Sequence, residues 1–204
     1  MSLKLHHLNA SRSQRIVWLL LELGVPHEIV HHKRNPTTRL APPELLKIHP
    51  LGKSPLLEHD GIVVAETGAI AEYLLAKFDP DHKLHPKPDS PDFPRYLEWL
   101  HAAEGAAFLP SLVTMYVGLA GVSEGAFVNR MGEERDKAAN LIEQHLSKHA
   151  YFAGDAFSAA DCLMGFQIAG MGARGDLANR PATKAWLDKV SARPAYKAML
   201  EVGI

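Results

Sequence analysis

The apolar positions near the start of the chain change from the spacing of a strand to that of a helix and back. Residues 3–8 include three leucines and predict a short strand. Within residues 16–23 apolar side chains recur at i, i+3, i+4 and i+7, which predicts a helix that ends at Gly24 and Pro26. Residues 27–31 predict a second strand. Strand, helix and strand in this order predict a βαβ unit with parallel strands.

The next segment predicts two further strands and a helix. A short helix is expected over residues 41–48, opened by two prolines. Residues 54–64 predict a hairpin with Asp60 and Gly61 in its turn. A helix with one apolar face follows, with Thr67 as its N-cap. Adding the hairpin to the βαβ unit predicts a mixed four-stranded sheet.

Prolines then mark a change in the organisation of the chain. Five of them fall within residues 80–94, and this density predicts a linker. The periodic segments beyond it are all helical. They include a long helix over residues 94–119, bent at Pro110, and a helix that opens on a capping box at residues 158–161. We therefore predict a first domain at residues 1–79, a linker at 80–93 and an all-helical domain at 94–204.

Charge and composition exclude several classes of function. The 204 residues carry 22 Lys and Arg against 23 Asp and Glu, a formal net charge of −1. This balance gives no electrostatic reason to expect nucleic acid or an anionic membrane as a partner. The longest purely apolar run, residues 16–21, is far shorter than the ~20 residues of a spanning helix. No signal peptide is visible and Cys162 is the single cysteine, so we expect a cytoplasmic protein. The 12 histidines show no ligand spacing, so no metal is expected.

Four short motifs, taken in their order along the chain, give a more specific indication. They lie at residues 9–15, 49–55, 65–70 and 157–161, with the proline-rich linker between the third and the fourth. Over nearly its whole length the chain resembles the soluble glutathione S-transferases, and is most similar to a serine-type subgroup found in bacteria and fungi. The resemblance implies a thioredoxin-like N-terminal domain, a helical C-terminal domain and a homodimer. It also implies transfer of glutathione, the co-substrate, to hydrophobic electrophiles.

The turn before the first helix holds the candidates for activation of the glutathione thiol. A free thiol has a pKa of about 8.5, which a helix N-terminus and a hydrogen-bonding hydroxyl both lower. The resemblance places Ser11 in this role, although Ser11 is also placed to cap the helix. Asn9 and Ser13 remain alternatives. Arg12 is expected to put a cation beside the thiolate or the glycine carboxylate.

The resemblance implies that the other motifs bind the rest of glutathione. Ser54 precedes the expected cis-proline and pairs through its backbone with the cysteinyl part. Beside it, Lys53 either attracts the glycine carboxylate or is simply an exposed residue. Glu66 pairs with the ligand's ammonium group, and Thr67 with the following helix N-terminus receives the γ-glutamyl carboxylate. Arg39 is a further candidate for the glycine carboxylate.

The helical domain contributes weaker candidates and leaves alternative functions open. Glu104 is expected on the long helix, either reaching the partner's glutathione or lying in the core. His7, Phe108, Met115 and Tyr116 are candidates to line the electrophile pocket. Reduction of hydroperoxides by the same thiolate is an alternative function. A non-catalytic binding or regulatory dimer is another.

Overall fold

The computed structural model of the chain describes residues 2–203. Two compact units are present. The first contains the residues up to Leu84 together with those from Val190 onward, and the second contains His85–Lys189. The predicted boundaries at residues 79 and 94 stay a prediction.

The first unit is built on a four-stranded sheet. Its strands are β1 (Leu3–Leu8), β2 (Glu28–His32), β3 (Leu56–His59) and β4 (Ile62–Ala65). They lie in the order β2-β1-β3-β4. The β1–β2 pair is parallel, whereas the β1–β3 and β3–β4 pairs are antiparallel. The mixed sheet and its βαβ unit are therefore as the sequence predicts.

Among the described residues of this unit, three α-helices and one short 3-10 helix accompany the sheet. The 3-10 helix, Pro43–Lys47, corresponds to the short helix predicted over residues 41–48. The α-helices are α1 (Ser13–Leu23), α2 (Thr67–Phe78) and, after the residues of the second unit, the last helix, Pro194–Glu201, here α8. Helix α1 packs against β1, α2 and α8. Because α1 is covered on three sides, its apolar residues occupy more than one face of the helix, and Trp18 is only 1% exposed. Tyr196 of α8 packs edge-on against Trp18, and Arg193, at the N-cap position of α8, forms an ion pair with Glu22 at 2.6 Å.

The start of α2 differs from the sequence prediction. Thr67 is the first residue of the helix, and Glu66 occupies the N-cap position with a φ of 72° and no capping side chain. The expectation that Thr67 is the N-cap is wrong because a single residue separates β4 from α2. The whole change of chain direction therefore falls on Glu66.

The second unit is helical between residues 93 and 189. Its helices are α3 (Phe93–Ala102), α4 (Leu109–Leu119), α5 (Ala126–Leu146), α6 (Ala159–Ala173) and α7 (Pro181–Ser191), which ends beyond it. The predicted single helix over residues 94–119 is wrong, because the chain turns between Ala102 and Leu109. Pro110 has no N–H to continue a helix, so it lies in the first turn of α4 instead of bending a longer helix.

A capping box opens α6, as predicted. The Asp161 carboxylate accepts hydrogen bonds from the Ser158 N–H at 2.9 Å and from its hydroxyl at 3.0 Å. Its other oxygen accepts the Trp186 indole N–H at 2.9 Å and the Phe152 N–H at 3.2 Å. Asp161 is fully buried, so this carboxylate ties three segments of the second unit together.

Removing the Asp161 carboxylate should cost more stability than removing the cap alone. Asp161→Ala leaves the buried donors of Trp186 and Phe152 unpaired, and we expect a loss of about 2–4 kcal/mol. Ser158→Ala should cost about 1 kcal/mol. Urea unfolding of both variants measures the difference. Equal losses would contradict the cross-linking role of Asp161.

A partly buried histidine lies beside this cluster, with its ring stacked on that of Phe152. His145 accepts the Trp99 indole N–H at Nδ1 over 3.2 Å, and its Nε2–H donates to the Tyr151 carbonyl over 3.1 Å. These two bonds require the neutral ring. Burial lowers the pKa of His145 to about 4, with a further lowering from His149 and Arg95.

The lowered pKa of His145 makes stability fall on acidification. Between pH 6.5 and about 4 the unfolded chain binds a proton at this ring that the folded chain does not. The contribution of His145 to the free energy of unfolding therefore decreases as the pH falls through that window, whereas the raised pKa of Asp161, about 6, contributes in the opposite direction below pH 6. We expect His145→Gln to weaken this dependence, measured by urea unfolding at pH 7 and pH 5. A variant with an unchanged pH dependence would contradict the assignment.

The fold class is confirmed: a thioredoxin-like N-terminal domain with a mixed sheet, followed by a helical C-terminal domain. Within residues 2–203, no helix has both the length and the apolar character required to cross a bilayer.

Candidate functional site

A small cleft in the first unit brings together five of the residues singled out from the sequence. Its volume is about 70 Å³. The predicted residues in its lining are Arg12, Lys53, Ser54, Glu66 and Thr67, with Leu51, Pro55, Leu56 and Ala65 completing it. Three chain segments far apart in sequence therefore meet here: the turn before α1, the loop before β3 and the β4–α2 junction.

The loop before β3 is fixed to the sheet by Ser54. The Ser54–Pro55 peptide bond is cis, as the resemblance implied. The Ser54 hydroxyl donates to the His6 carbonyl on β1 over 2.8 Å. Preceding it, Gly52 has a φ of 56°, and a Cβ there would lie 2.7 Å from Leu46 Cδ2. The loop needs glycine at this point for both reasons.

The β4–α2 junction supplies an acid and a hydroxyl. Glu66 is exposed and adopts the left-handed region, which a non-glycine residue adopts rarely. Thr67 is 3% exposed and starts the helix, so its hydroxyl lies beside the free N–H groups of the first turn of α2. A carboxylate side chain and an anion-binding helix terminus thus occur on adjacent residues.

The electrostatics of the cleft suit a ligand with charges of both signs. Arg12 and Lys53 carry positive charge, and Glu66 carries negative charge. The N-terminus of α2 adds a positive dipole end. A molecule with carboxylates and an ammonium group meets opposite charges in such a cleft.

The three candidates for thiol activation occupy different positions. Ser13 is fully buried and Ser11 is 6% exposed. The Ser11 hydroxyl accepts the Ser13 N–H at 3.2 Å, so it does cap the first turn, although Arg12 holds the formal N-cap position. The Asn9 side-chain oxygen accepts the Arg34 N–H at 2.9 Å. Ser11 adjoins the cleft-lining Arg12, whereas Asn9 and Ser13 serve local structure.

Two residues, Arg34 and His7, hold the surroundings of the site in place and were not identified as doing so from the sequence. Arg34 donates to the carbonyls of Asn9, Ala10 and Arg39 over 3.0–3.1 Å, and so holds the turn before α1 against the loop after β2. His7, expected in the electrophile pocket, is 2% exposed and belongs to an interior hydrogen-bond network. No local pattern marks either residue, because their partners are distant in sequence or set by the fold.

The remaining candidates lie elsewhere. Arg39 is exposed in the loop after β2, with a φ of 60°, and does not line the cleft. Glu104 lies in the second unit, in the turn between α3 and α4, and not on a long helix. Cys162 is a buried cysteine on α6 that forms no disulfide, which fits a packing role.

The histidine pairs on β1 and β2 form hydrogen bonds and not a metal centre. His6 Nδ1 lies 3.0 Å from His32 Nε2, and His6 Nε2 lies 3.0 Å from a Glu58 carboxylate oxygen. In the described part of the chain, no group of three or more His, Cys, Asp or Glu side chains has the arrangement of a metal site.

Comparison with known proteins agrees with this geometry. The model of the glutathione S-transferase N-terminal domain matches residues 1–76, and that of the C-terminal domain matches residues 126–194. Glutathione S-transferase 3 of Schizosaccharomyces pombe is 37% identical over 97% of this chain and 86% of its own length. Glutathione S-transferase 1 of Saccharomyces cerevisiae is 32% identical over 98% and 94%.

A solved structure of a glutathione S-transferase from Actinobacillus pleuropneumoniae superposes with a TM-score of 0.89 at 28% identity, covering 98% of this chain and 92% of that one. The two yeast relatives are more than 30% identical to this chain over nearly its whole length, which establishes common family membership. The expected enzyme class, a glutathione transferase, is confirmed at the level of these relatives. The chain therefore belongs to the glutathione S-transferase family.

Proposed function

We propose that this protein conjugates reduced glutathione to hydrophobic electrophiles through an activated glutathione thiolate. The observation that carries the proposal is the convergence of Arg12, Lys53, Ser54, Glu66 and Thr67 on one cleft. Their charges and hydrogen-bonding groups match the termini of an acidic tripeptide.

Glutathione is proposed to bind along the cleft with its two ends separated. Glu66 pairs with the γ-glutamyl ammonium, and Thr67 with the N-terminus of α2 receives the adjacent carboxylate. The backbone of Ser54 pairs with the cysteinyl part. Lys53 and Arg12 attract the glycine carboxylate, with Arg39 as a further cation of the neighbouring loop.

Ser11 is proposed to activate the thiol. Its hydroxyl lies one residue from Arg12 in the turn that opens α1. A hydrogen bond to the sulfur and the dipole of α1 both favour the thiolate, because they stabilise the negative charge. The thiolate then attacks the electrophile, and the leaving group departs with the electron pair of the broken bond.

Apolar surface on the second unit supports a hydrophobic electrophile and a homodimer. Although α4 is rich in apolar residues, none of its residues is buried within the chain, and Leu119 is 69% exposed. A cleft of about 370 Å³ runs between α4 and α5, lined mainly by valines, glycines, Phe127 and Met131. Glu104, in the turn before α4, is the residue proposed to contact the partner's glutathione.

The family subgroup and location are further parts of the proposal. The proposed subgroup is a serine-type one found in bacteria and fungi; the fungal and bacterial sources of the relatives support the second part, and Ser11 in the turn before α1 supports the first. The charge balance supports small molecules and a second copy of the chain as partners, without nucleic acid or membrane. We also propose a cytoplasmic location, which is supported by the single cysteine, Cys162, because one cysteine cannot form an internal disulfide.

Glu66 offers a sharp test of the binding mode. Glu66→Gln removes the charge and should raise the Kd for glutathione about tenfold, the usual effect of losing one charge-assisted hydrogen bond. Glu66→Gly should weaken binding as much while tolerating the left-handed backbone. Calorimetric titration gives the Kd. The matched control is Glu72→Gln, an exposed acid on α2 outside the cleft, and an equal effect there would contradict the assignment.

Ser11→Ala tests thiol activation. We expect the pKa of bound glutathione to rise and kcat/KM with a standard electrophile to fall about 10- to 100-fold, as for a lost hydrogen bond to a charged group. Ultraviolet absorbance of the thiolate against pH measures the first quantity. Asn9→Ala tests the remaining alternative donor, and Ser147→Ala is the control. Full activity in Ser11→Ala would overturn its role, and absence of glutathione binding in the unmodified protein would favour a non-catalytic member.

A further inference from the structure

A continuous row of polar side chains leads from Ser11, the residue before the cleft-lining Arg12, to His7 in the interior of the first unit. Ser11 Oγ lies 2.7 Å from Ser13 Oγ. Ser13 Oγ lies 2.9 Å from His7 Nδ1, and His7 Nε2 lies 3.0 Å from the Gly203 carbonyl oxygen. All three side chains are at most 6% exposed, so water does not compete along this row.

The chemistry of the groups fixes the direction of each hydrogen bond. A carbonyl only accepts, so the His7 Nε2 carries a proton and its Nδ1 is an acceptor when the ring is neutral. The Ser13 hydroxyl then donates to Nδ1 over 2.9 Å, a shorter distance than the 3.3 Å to its other acceptor, the Leu8 carbonyl. Its oxygen accepts the Leu8 N–H at 3.2 Å and is left to accept the Ser11 hydroxyl. When His7 is neutral, the Ser11 hydroxyl therefore donates to Ser13. The Ser11 oxygen can then accept a hydrogen bond from a bound ligand.

Protonation of His7 reverses the two bonds that involve hydroxyls, His7–Ser13 and Ser13–Ser11, and leaves the Nε2–H bond to the Gly203 carbonyl unchanged. With a proton on Nδ1, His7 donates to Ser13, Ser13 donates to Ser11, and Ser11 donates outward. The first arrangement matches a thiol, which offers S–H to the Ser11 oxygen. The second matches a thiolate, which accepts the Ser11 hydroxyl. The network thus has two states, and each is complementary to one protonation state of a bound sulfur.

We propose that Ser11 and Ser13 relay the proton of bound glutathione to His7 Nδ1, so that thiolate and imidazolium form together; this inference rests on the proposed role of Ser11. The S–H bond breaks and its electron pair stays on sulfur. A proton passes to Ser11 Oγ, the Ser11 proton passes to Ser13 Oγ, and the Ser13 proton forms the N–H bond on His7. Ser13 and His7 are positioning residues, because neither touches the sulfur.

The surroundings of His7 keep it neutral until the thiol arrives. Burial lowers the pKa of His7, the Gly203 carbonyl opposes this, and His31 and His32 lower it further. These two histidines on β2 are the titratable groups that act on it, with the His31 ring 5.7 Å away. From α1 it contacts Ser13, and beyond α8 it contacts Gly203. A thiolate at Ser11 supplies the negative charge that makes the imidazolium favourable.

The same row returns the proton at the end of the cycle. Once the sulfur has become a thioether it no longer accepts the Ser11 hydroxyl. When the product leaves, a water molecule at Ser11 accepts the proton by the reverse path, and His7 becomes neutral again. The proton that conjugation releases thus reaches solvent after the attack and not on binding.

Counting protons on glutathione binding tests the relay directly. Calorimetric titration near pH 7 in two buffers of different ionisation enthalpy gives the protons released, and ultraviolet absorbance of the same samples gives the thiolate formed. S-methylglutathione, which has no thiol proton, corrects for other groups. We expect fewer than half a proton released per thiolate in the unmodified protein. One proton per thiolate would overturn the relay.

His7→Gln separates proton transfer from hydrogen-bond geometry. Glutamine offers an acceptor toward Ser13 and a donor toward Gly203 but takes no proton. We expect release to approach one proton per thiolate and the thiolate fraction near neutral pH to fall about tenfold, the effect of a thiol pKa one unit higher. The control is His101→Gln, an exposed histidine of the second unit, which should change neither quantity.

The outcomes distinguish the relay from the proposed function. A lowered thiol pKa with full proton release, unchanged in His7→Gln, would leave the transferase proposal standing and overturn the relay alone. Absence of any thiolate absorbance below the ordinary thiol pKa would overturn both. The proton count of the unmodified protein decides the relay even if His7→Gln does not fold.

Discussion

The first unit depends on satisfying the polar groups that β1 and α1 bury between them. Ser13 is fully buried, and its hydroxyl has partners in Ser11, His7 and both backbone groups of Leu8. A buried hydroxyl without partners costs about 1–3 kcal/mol. The turn before α1 therefore has little freedom. The position of Ser11 beside the cleft follows from the internal requirements of its neighbour.

The same strand also fixes the opposite side of the cleft. The His6 carbonyl accepts the Ser54 hydroxyl, while the backbone of Leu8, two residues further along β1, holds Ser13. The cis-proline loop and the turn before α1 are thus both attached to β1 by hydrogen bonds to its backbone. Because a strand in a sheet is among the stiffest parts of a protein, the distance between these two walls is set by the backbone of β1.

Periodicity and turn chemistry were enough to predict the sheet, α1 and the capping box, because the residues that decide them are neighbours in sequence. The motifs located Arg12, Lys53, Ser54, Glu66 and Thr67, which the fold brings to one cleft. The division of the long helix at residues 103–108 and the backbone of Glu66 were missed, since each depends on how two elements are joined. Arg34 and His7 were missed as framework residues because their roles depend on partners that only the folded chain supplies.

Two histidines with the same hydrogen-bond pattern differ in the group that lies at Nδ1. His7 and His145 each donate from Nε2 to a backbone carbonyl and accept at Nδ1. The partner of His145 is the Trp99 indole, which donates only and cannot receive a proton in return. The partner of His7 is the Ser13 hydroxyl, which donates and accepts. The same hydrogen-bond pattern therefore has two outcomes. At His145 it gives a contact that only stabilises the fold, whereas at His7 it gives hydroxyl hydrogen bonds whose direction can reverse.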